Sequence, residues 1–298
     1  MTTPTQPLPK RQPRPAAPEL RIEAADATAL PVIYGWAAEN SWSPGEHDFR
    51  CYLEADPQSL YVGYLGDEPV SAVFVANHDA GFAHLGAYMV PPQHRGNGYG
   101  RATFDAAMRH AETRVVGLHA VTEQVKNYTK SGFAADYSTW RFSGVLAPAR
   151  TRTSGEIVDA GQVDLASLVD YDARHFRAAR PVFVSSWISM PGHVARVVVD
   201  GGEIVGFGVI RPTIDHCRIG PLYARDAATV AALLCDLAEA AEAATIALDV
   251  PETNPAACDL AAALGLSADF EMVTMFTPGP LKPINRSGVY AVASAELG

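Results

Sequence analysis

The sequence predicts an α/β protein assembled from two similar halves. Three observations carry that reading. Short β-rich apolar runs alternate with helical patterns. A glycine-rich loop joins one such run to a helix at residues 95–101. The second half repeats the order of the first at a nearly constant offset.

The elements follow in order. Leu20–Ala24 alternates weakly as a first strand, and residues 28–40 read as a helix with Thr28 as its N-cap. Leu60–Leu65, 70–77 and 83–90 are strands separated by turn residues such as Gly66 and Asp67. A helix from Arg101 to about 113 places Phe104, Ala107, Met108 and Ala111 on one face, suited to packing on a sheet. A strand at 115–121, a short helix holding Tyr128 and a strand near 136–143 complete the half. This order is that of an α/β domain with a mixed sheet. Residues 146–155 read as a linker.

Composition narrows the function. The chain has 298 residues, room for one large or two medium domains. It is 48% hydrophobic and 19% charged, with no apolar run as long as a membrane span. Residues 1–19 carry six prolines and no periodicity, so they read as a disordered lead without the apolar core of a secretory signal. A net charge of −10 argues against nucleic acid, and Arg174, Arg177 and Arg180 are too sparse a cluster to reverse that. The four cysteines (51, 217, 235, 258) show no disulfide or zinc spacing and read as buried free thiols. No metal and a cytoplasmic setting are expected.

The loop Arg95-Gly96-Asn97-Gly98-Tyr99-Gly100-Arg101 is the most informative stretch. Its glycines remove β-carbons that would hold a ligand off the main chain. They let backbone N–H groups converge beside the positive end of the following helix, a cradle for a diphosphate. The even spacing fits neither the dinucleotide fingerprint nor the nucleoside triphosphate loop. The plainer alternative is a strand-to-helix turn. Some thirty residues on comes Tyr128-Thr-Lys-Ser-Gly-Phe133.

Together these two stretches resemble the GNAT family of N-acetyltransferases. Its acyl-CoA motif, Gln/Arg-x-x-Gly-x-Gly/Ala, is matched by Arg95, Gly98 and Gly100, with Val90 and Pro91 as the strand exit. Its second signature, Tyr-x-Lys-x-Gly-Phe, is matched by Tyr128, Lys130, Gly132 and Phe133. The resemblance covers roughly residues 20–145. It implies a mixed, mostly antiparallel sheet flanked by helices, with acetyl-CoA as acyl donor. It places the pyrophosphate on the loop from Arg95 to Arg101. The pantetheine would lie along Met89 and Val90, where the strand splays from its neighbour at a bulge. Tyr128 would be the general acid for the leaving thiolate. For the base, His119 is one candidate, with Glu123, Tyr88 and His84 as competitors and a water chain as the alternative. The implied acceptor is a primary amine of a small molecule, attacking directly in a ternary complex. An acyl-CoA-binding regulator without transfer activity and a protein N-acetyltransferase are the other readings.

In the second half, 204–209 resembles 70–75, 219–224 resembles 85–90, and Leu248-Asp249 matches Leu118-His119. The offset is 134 residues before the loop and 130 after it. Tyr223-Ala-Arg-Asp226 stands where the glycine loop should be, and Ala261 where Tyr128 should be. The whole chain therefore resembles tandem GNAT proteins: an N-terminal domain at 20–145 and a degenerate copy at 156–298 that walls the acceptor site. Asp172, His175, Arg177 and Arg180 read as one helix face, either solvated or aimed at an acceptor carboxylate. Trp36 and Trp42 are pocket or core. Assembly as a monomer or homodimer is left open.

Overall fold

The computed structural model describes residues 19–40, 42–147, 153–296 and 298. The proline-rich lead falls outside them except for Glu19, as do residues 148–152 of the linker. The first half runs β1 (Leu20–Ala24), α1 (Leu30–Glu39), α2 (Asp48–Ala55), β2 (Leu60–Leu65), β3 (Glu68–Asn77), β4 (Phe82–Met89), α3 (Tyr99–His110), β5 (Val115–Val121), α4 (Val125–Lys130) and β6 (Ala134–Val145). The second runs β7 (Glu156–Asp159), α5 (Leu165–Asp172), α6 (Pro181–Ser189), β8 (Val194–Asp200), β9 (Glu203–Pro212), β10 (Cys217–Ala224), α7 (Ala227–Ala240), β11 (Thr245–Pro251), α8 (Pro255–Ala263), β12 (Ser267–Phe276) and β13 (Val289–Ala291).

Three local expectations change. The first helix is preceded by a 3-10 turn at Ala27–Ala29, and its cap is Asp26, whose carboxylate accepts from the Thr28 N–H at 2.9 Å. Thr28 is the donor there, not the cap. Helix α2 was not foreseen: it has only eight residues, and Arg50 and Glu54 break its apolar run. Its signal was the spacing of Phe49, Tyr52 and Leu53, all buried. Of the cysteines, all free, only Cys51 is fully buried.

The strands form one sheet across both halves, in the order β1-β2-β3-β4-β5-β12-β6-β11-β10-β9-β8-β7, with β13 also on β10. The centre is an exchange. β5 does not pair with β6, the next strand of its own half, but antiparallel with β12, from Met272 opposite Val121 to Phe276 opposite Gly117. β6 in turn lies between β12 and β11. The two sequence halves therefore cannot separate without breaking the middle of the sheet.

Helix α3 packs Phe104 and Ala107 on Val73, Val75, Leu85 and Leu118 on one face. On the other face α1 and α2 share a core with α6, around Phe49, Tyr52, Phe183 and Trp187. Across this join Arg211 of β9 donates to Asp48 of α2 at 2.7 Å, both side chains fully buried, with the guanidinium 4.6 Å from the Trp187 ring centre. A buried charge is tolerated only when paired in this way.

The repeat is clearest at two bulges. On β4, Gly86 faces Phe74 while Met89 faces Ala72, so one extra residue is accommodated; Ala87 takes a left-handed φ of 46°. On β10, Ile219 faces Ile210 while Leu222 faces Gly208, the same irregularity 133 residues later. Beyond each bulge the parallel neighbour diverges. The β4–β5 pairing ends at His84 and Gly117, and the β10–β11 pairing ends at Ile219 and Leu248. In the second half the gap is filled by β13, which pairs with Leu222 and Tyr223, while the Val292 N–H donates to the Asp249 carbonyl at 3.0 Å. Among the described residues no strand fills the gap in the first half.

Two outcomes are expected. Residues 20–145 expressed alone lack the β12 partner of β5 and the α6 and β9 surfaces that cover α2 and pair Asp48. Thermal unfolding followed by circular dichroism should show no cooperative transition; a sharp one would mean that the exchange is dispensable. The second concerns His78, ringed by Tyr52, Phe82, Phe176 and Phe183. Burial, with the nearby Arg180 charge, lowers its pKa to about 3. The unfolded chain then binds more protons than the folded one below about pH 6.5. This contribution to stability is complete above that pH and is lost as pH falls toward 3. Replacing His78→Phe should shrink the drop in melting temperature between pH 6.5 and 4.

Candidate active site

The glycine loop forms the open structure its sequence predicts. Gly96 and Gly98 have φ of 79° and 80°, values in the left-handed region where a side chain is strained. A β-carbon on either would meet no protein atom within 4 Å, so the space above them is free. Gly98 is the N-cap of α3 and offers no side-chain cap. Among the described residues nothing accepts from the N–H groups of Tyr99, Gly100 and Arg101. Helix N-termini with unpartnered N–H groups hold anions. Gly100 has a different role: a β-carbon there would lie 2.5 Å from Val90 Cγ2 and 2.7 Å from the Tyr88 hydroxyl. Its absence lets the helix start close to the strand exit.

Neighbouring side chains brace the loop. Arg95 Nε donates to the Val90 carbonyl at 2.8 Å, and Asn97 Nδ2 donates to the carbonyls of His94 and Arg95. Arg101 is drawn along the helix by Asp105 at 2.9 Å and by Ser131 Oγ at 3.0 Å. That contact ties the loop helix to the end of α4. Arg101 therefore offers the cradle its backbone N–H, while its guanidinium is engaged elsewhere.

The loop opens into a cleft of about 450 Å³ lined by Tyr88, Met89, Val90, Arg95, His119 and Tyr128, together with Asn40, Trp42, Val121 and Gln124. The divergence of β4 from β5 makes this space. Tyr128 stands on α4, its ring against Phe104 and Phe133. Among the described residues its hydroxyl has no hydrogen-bond partner. Burial, with the Tyr88 phenol beside it, pushes the Tyr128 pKa well above its ordinary value, so the phenol keeps its proton throughout the neutral range.

His119 lies on β5 opposite Thr274 of β12, at the meeting point of three cavities. Besides the cleft there is one of about 50 Å³ reaching toward His84, Tyr137 and Arg177, and another of about 50 Å³ walled by Trp42, Phe270 and Glu296. Both His119 ring nitrogens are buried without a hydrogen-bond partner. Burial lowers its pKa, while Asp249, Glu296 and the Ala295 backbone oppose the shift. The imidazole is thus neutral at pH 7, as a base must be. His84 sits 5.3 Å away ring to ring, buried and held well below the usual histidine range by desolvation and by His119.

Other candidates move. Glu123 is exposed and does not line the cleft, whereas its neighbour Gln124 on the same 3-10 turn does. Tyr88 lines the cleft with its hydroxyl against the start of α3, and burial raises its pKa, so it is no base. The expected helix face at 172–180 is two elements: α5 ends at Asp172, and Arg180 caps α6. None of that set is solvated. Arg180 is fully buried, spends Nε and Nη2 on Asp172 at 2.9 and 3.0 Å, and gives Nη1 to the Gly298 backbone oxygen. It lies stacked on Phe176 and Phe183, so it braces the core and has nothing left for an acceptor. His175 stacks on Tyr223 and donates from Nδ1 to the Tyr171 carbonyl at 3.0 Å. It and Arg177 reach only the cavity behind His119. Trp42 lines the cleft, whereas Trp36 packs on the core.

Two residues of the site were not foreseen. Arg141 of β6 and Glu296 reach the far end of the cleft only through the strand exchange and the closing segment after β13. They belong to a buried ionic network. Arg218 donates to both Glu296 oxygens at 2.8 Å and ion-pairs with Asp249, which also accepts from Arg141 at 2.7 and 3.0 Å. These guanidinium groups hold both carboxyls well below their ordinary range. No local motif announced this, since the partners are more than thirty residues apart.

The second copy has closed its own site. Where α3 has bare Gly98, the carboxylate of Asp226 caps α7 by accepting from the Thr229 N–H at 2.8 Å, and Arg225 pairs with Asp200 and Asp226. β13 occupies the splay, and Ala261 is buried where the first half has a phenol.

Comparison with known proteins agrees with this geometry. A model described as acetyltransferase (GNAT) family matches residues 26–133, and one described as acetyltransferase (GNAT) domain matches 168–291. Holothin acyltransferase of Pseudoalteromonas sp. (strain SANK 73390) is 30% identical over 270 residues, covering 90% of each chain. A putative acetyltransferase from Pyrococcus horikoshii superposes with a TM-score of 0.78 at 19% identity, over 94% of this chain and 96% of that one. A tandem GNAT protein from the clavulanic acid biosynthesis pathway gives 0.61 at 17% identity, over 88% and 99%. The last two show a shared fold. With two GNAT domains in one sheet and a 30% identical acyltransferase along nearly its whole length, this chain belongs to the GNAT family, in its tandem form.

Proposed function

We propose that this protein transfers an acetyl group from acetyl-CoA to the amine of a small molecule, with donor and acceptor bound together. The observation that carries this reading is a cleft that runs from Arg95, at the foot of the glycine loop and its uncapped helix start, past a splayed strand edge to the half-buried Tyr128. The pyrophosphate fits the space above Gly96 and Gly98, which a β-carbon would enter. The pantetheine amides find partners on β4 at Met89 and Val90, where β5 has turned away. A backbone N–H near Val90 polarises the thioester carbonyl. His119 accepts the proton that the attacking amine sheds. Tyr128, whose phenol keeps its proton through the neutral range, protonates the thiolate.

The acceptor is a molecule of modest size, because the segment after β13 and Trp42 close the far end of the cleft and leave no groove for a peptide. The acyltransferase relative is described as acting on holothin, and an acceptor of comparable kind is part of this proposal. So are a cytoplasmic setting, where thiols such as Cys51 stay reduced, and action as a monomer or homodimer.

Two variants test the reading. Tyr128→Phe should lower kcat about 10²-fold at neutral pH with little change in acetyl-CoA affinity. Unaltered turnover would remove the phenol from the acid role. Gly98→Val places a β-branched side chain at φ 80° in the phosphate space, and should abolish acetyl-CoA binding in calorimetry while wild type binds. Wild-type affinity in that variant would move the donor site elsewhere.

A further inference from the structure

We propose that the acceptor site is the annex at the far end of the cleft, and that it takes a flat, weakly basic amine, uncharged at neutral pH, with a carbonyl oxygen bound by Arg141. This rests on the acyl-transfer reading above and narrows its substrate.

The annex shares Trp42, His119 and Val121 with the donor cleft, so an occupant lies beside both the thioester and the imidazole. Its remaining walls are Phe270 and Met272 of β12, with Arg141 and Glu296. Indole, phenyl and thioether walls favour a planar ring.

Arg141 is the polar feature. Asp249 grips its Nε and Nη2, and Glu296 lies 3.7 Å from Nη2. Among the described residues Nη1 donates to nothing, and the side chain retains 16% exposure. It is a donor fixed in place before any ligand arrives, which lowers the cost of using it. The charges around it favour an uncharged occupant. Arg141 and Arg218 are balanced by Asp249 and Glu296. An acceptor carboxylate would stand against Glu296. An ammonium would add a positive charge beside Arg141, while Glu296 already holds Arg218 and Ser294. No ionised carboxylate free of an arginine lines the cleft or annex to take a proton from an ammonium before attack.

An amine on a conjugated ring needs no such step. Its nitrogen lone pair forms the C–N bond to the thioester carbon, and the C–S bond breaks with its electron pair leaving on sulfur. Sulfur takes the Tyr128 proton, the new ammonium gives one proton to His119, and both side chains re-equilibrate with solvent. The sum is amine plus thioester to amide plus thiol.

The test is thiol release from acetyl-CoA by the full chain with 3-amino-2-pyridone, 3-aminopyridine (the ring amine without the carbonyl), anthranilate, spermidine and L-lysine. The aminopyridone should exceed anthranilate, spermidine and lysine in kcat/KM by about 100-fold. Arg141→Gln should raise KM for the aminopyridone roughly tenfold or more, and that for 3-aminopyridine by a much smaller factor. Since Arg141 also holds Asp249, Phe270→Ala, at a partly exposed wall residue, gives an independent reading: KM should rise several-fold for both ring amines without a change in melting temperature. Preference for spermidine or lysine, or an Arg141→Gln effect equal on every amine, would overturn the annex assignment and leave acyl transfer standing. Thiol release with no amine at all would overturn both.

Discussion

Backbone groups that leave a sheet must find partners, and this molecule is organised around one place where they are released. A bulge in a strand parallel to its neighbour turns the two apart, exposing a row of peptide groups in the middle of the sheet rather than at its edge. The chain does this twice, at Gly86–Met89 and at Ile219–Leu222. In the second half β13 answers the exposed groups, and Asp226 answers the adjacent helix start. In the first half no described strand fills the splay and nothing described accepts from the start of α3. The same physical problem is solved within the fold once and left open once.

This gives the second half a role despite its lost chemistry. The segment that plugs its splay continues past β13 to Ala295 and Glu296, which line the far end of the first half's cleft. Plugging one site and walling the other are done by the same stretch, from Val289 to Glu296. The strand exchange acts in the same direction: β12 brings Phe270, Met272 and Thr274 beside β5, and β6 carries Arg141 to the opposite side of β12. Divergence of the second copy removed its cradle and its phenol but kept the sheet that holds the first copy's residues in place.

Much of the site was legible because its donor end is local. The loop from Arg95 to Arg101 and the turn at Tyr128 are continuous stretches whose chemistry depends on neighbours in the chain. Glycine at positive φ and a phenol within a short helix announce themselves in this way. The repeat was legible for a related reason, since apolar periodicity records which face of each strand is buried. Helix α2 escaped because eight residues with charges at Arg50 and Glu54 carry too short a pattern. Arg180 was misjudged because a cationic residue near others reads as a surface, whereas aromatic rings and Asp172 enclose it.

What residue order determined alone was therefore most of the elements, their duplication, and the half that keeps a glycine-lined helix start. These follow from local conformational preference and from which side chains avoid water. Tertiary structure decided that the halves exchange strands, that His119 stands at the junction of three cavities, and that Arg141 meets Asp249 and Glu296. Those are matters of long-range pairing. Antiparallel pairing itself would have allowed β6 to lie beside β5, and only the packing of the whole sheet selects β12 for that place.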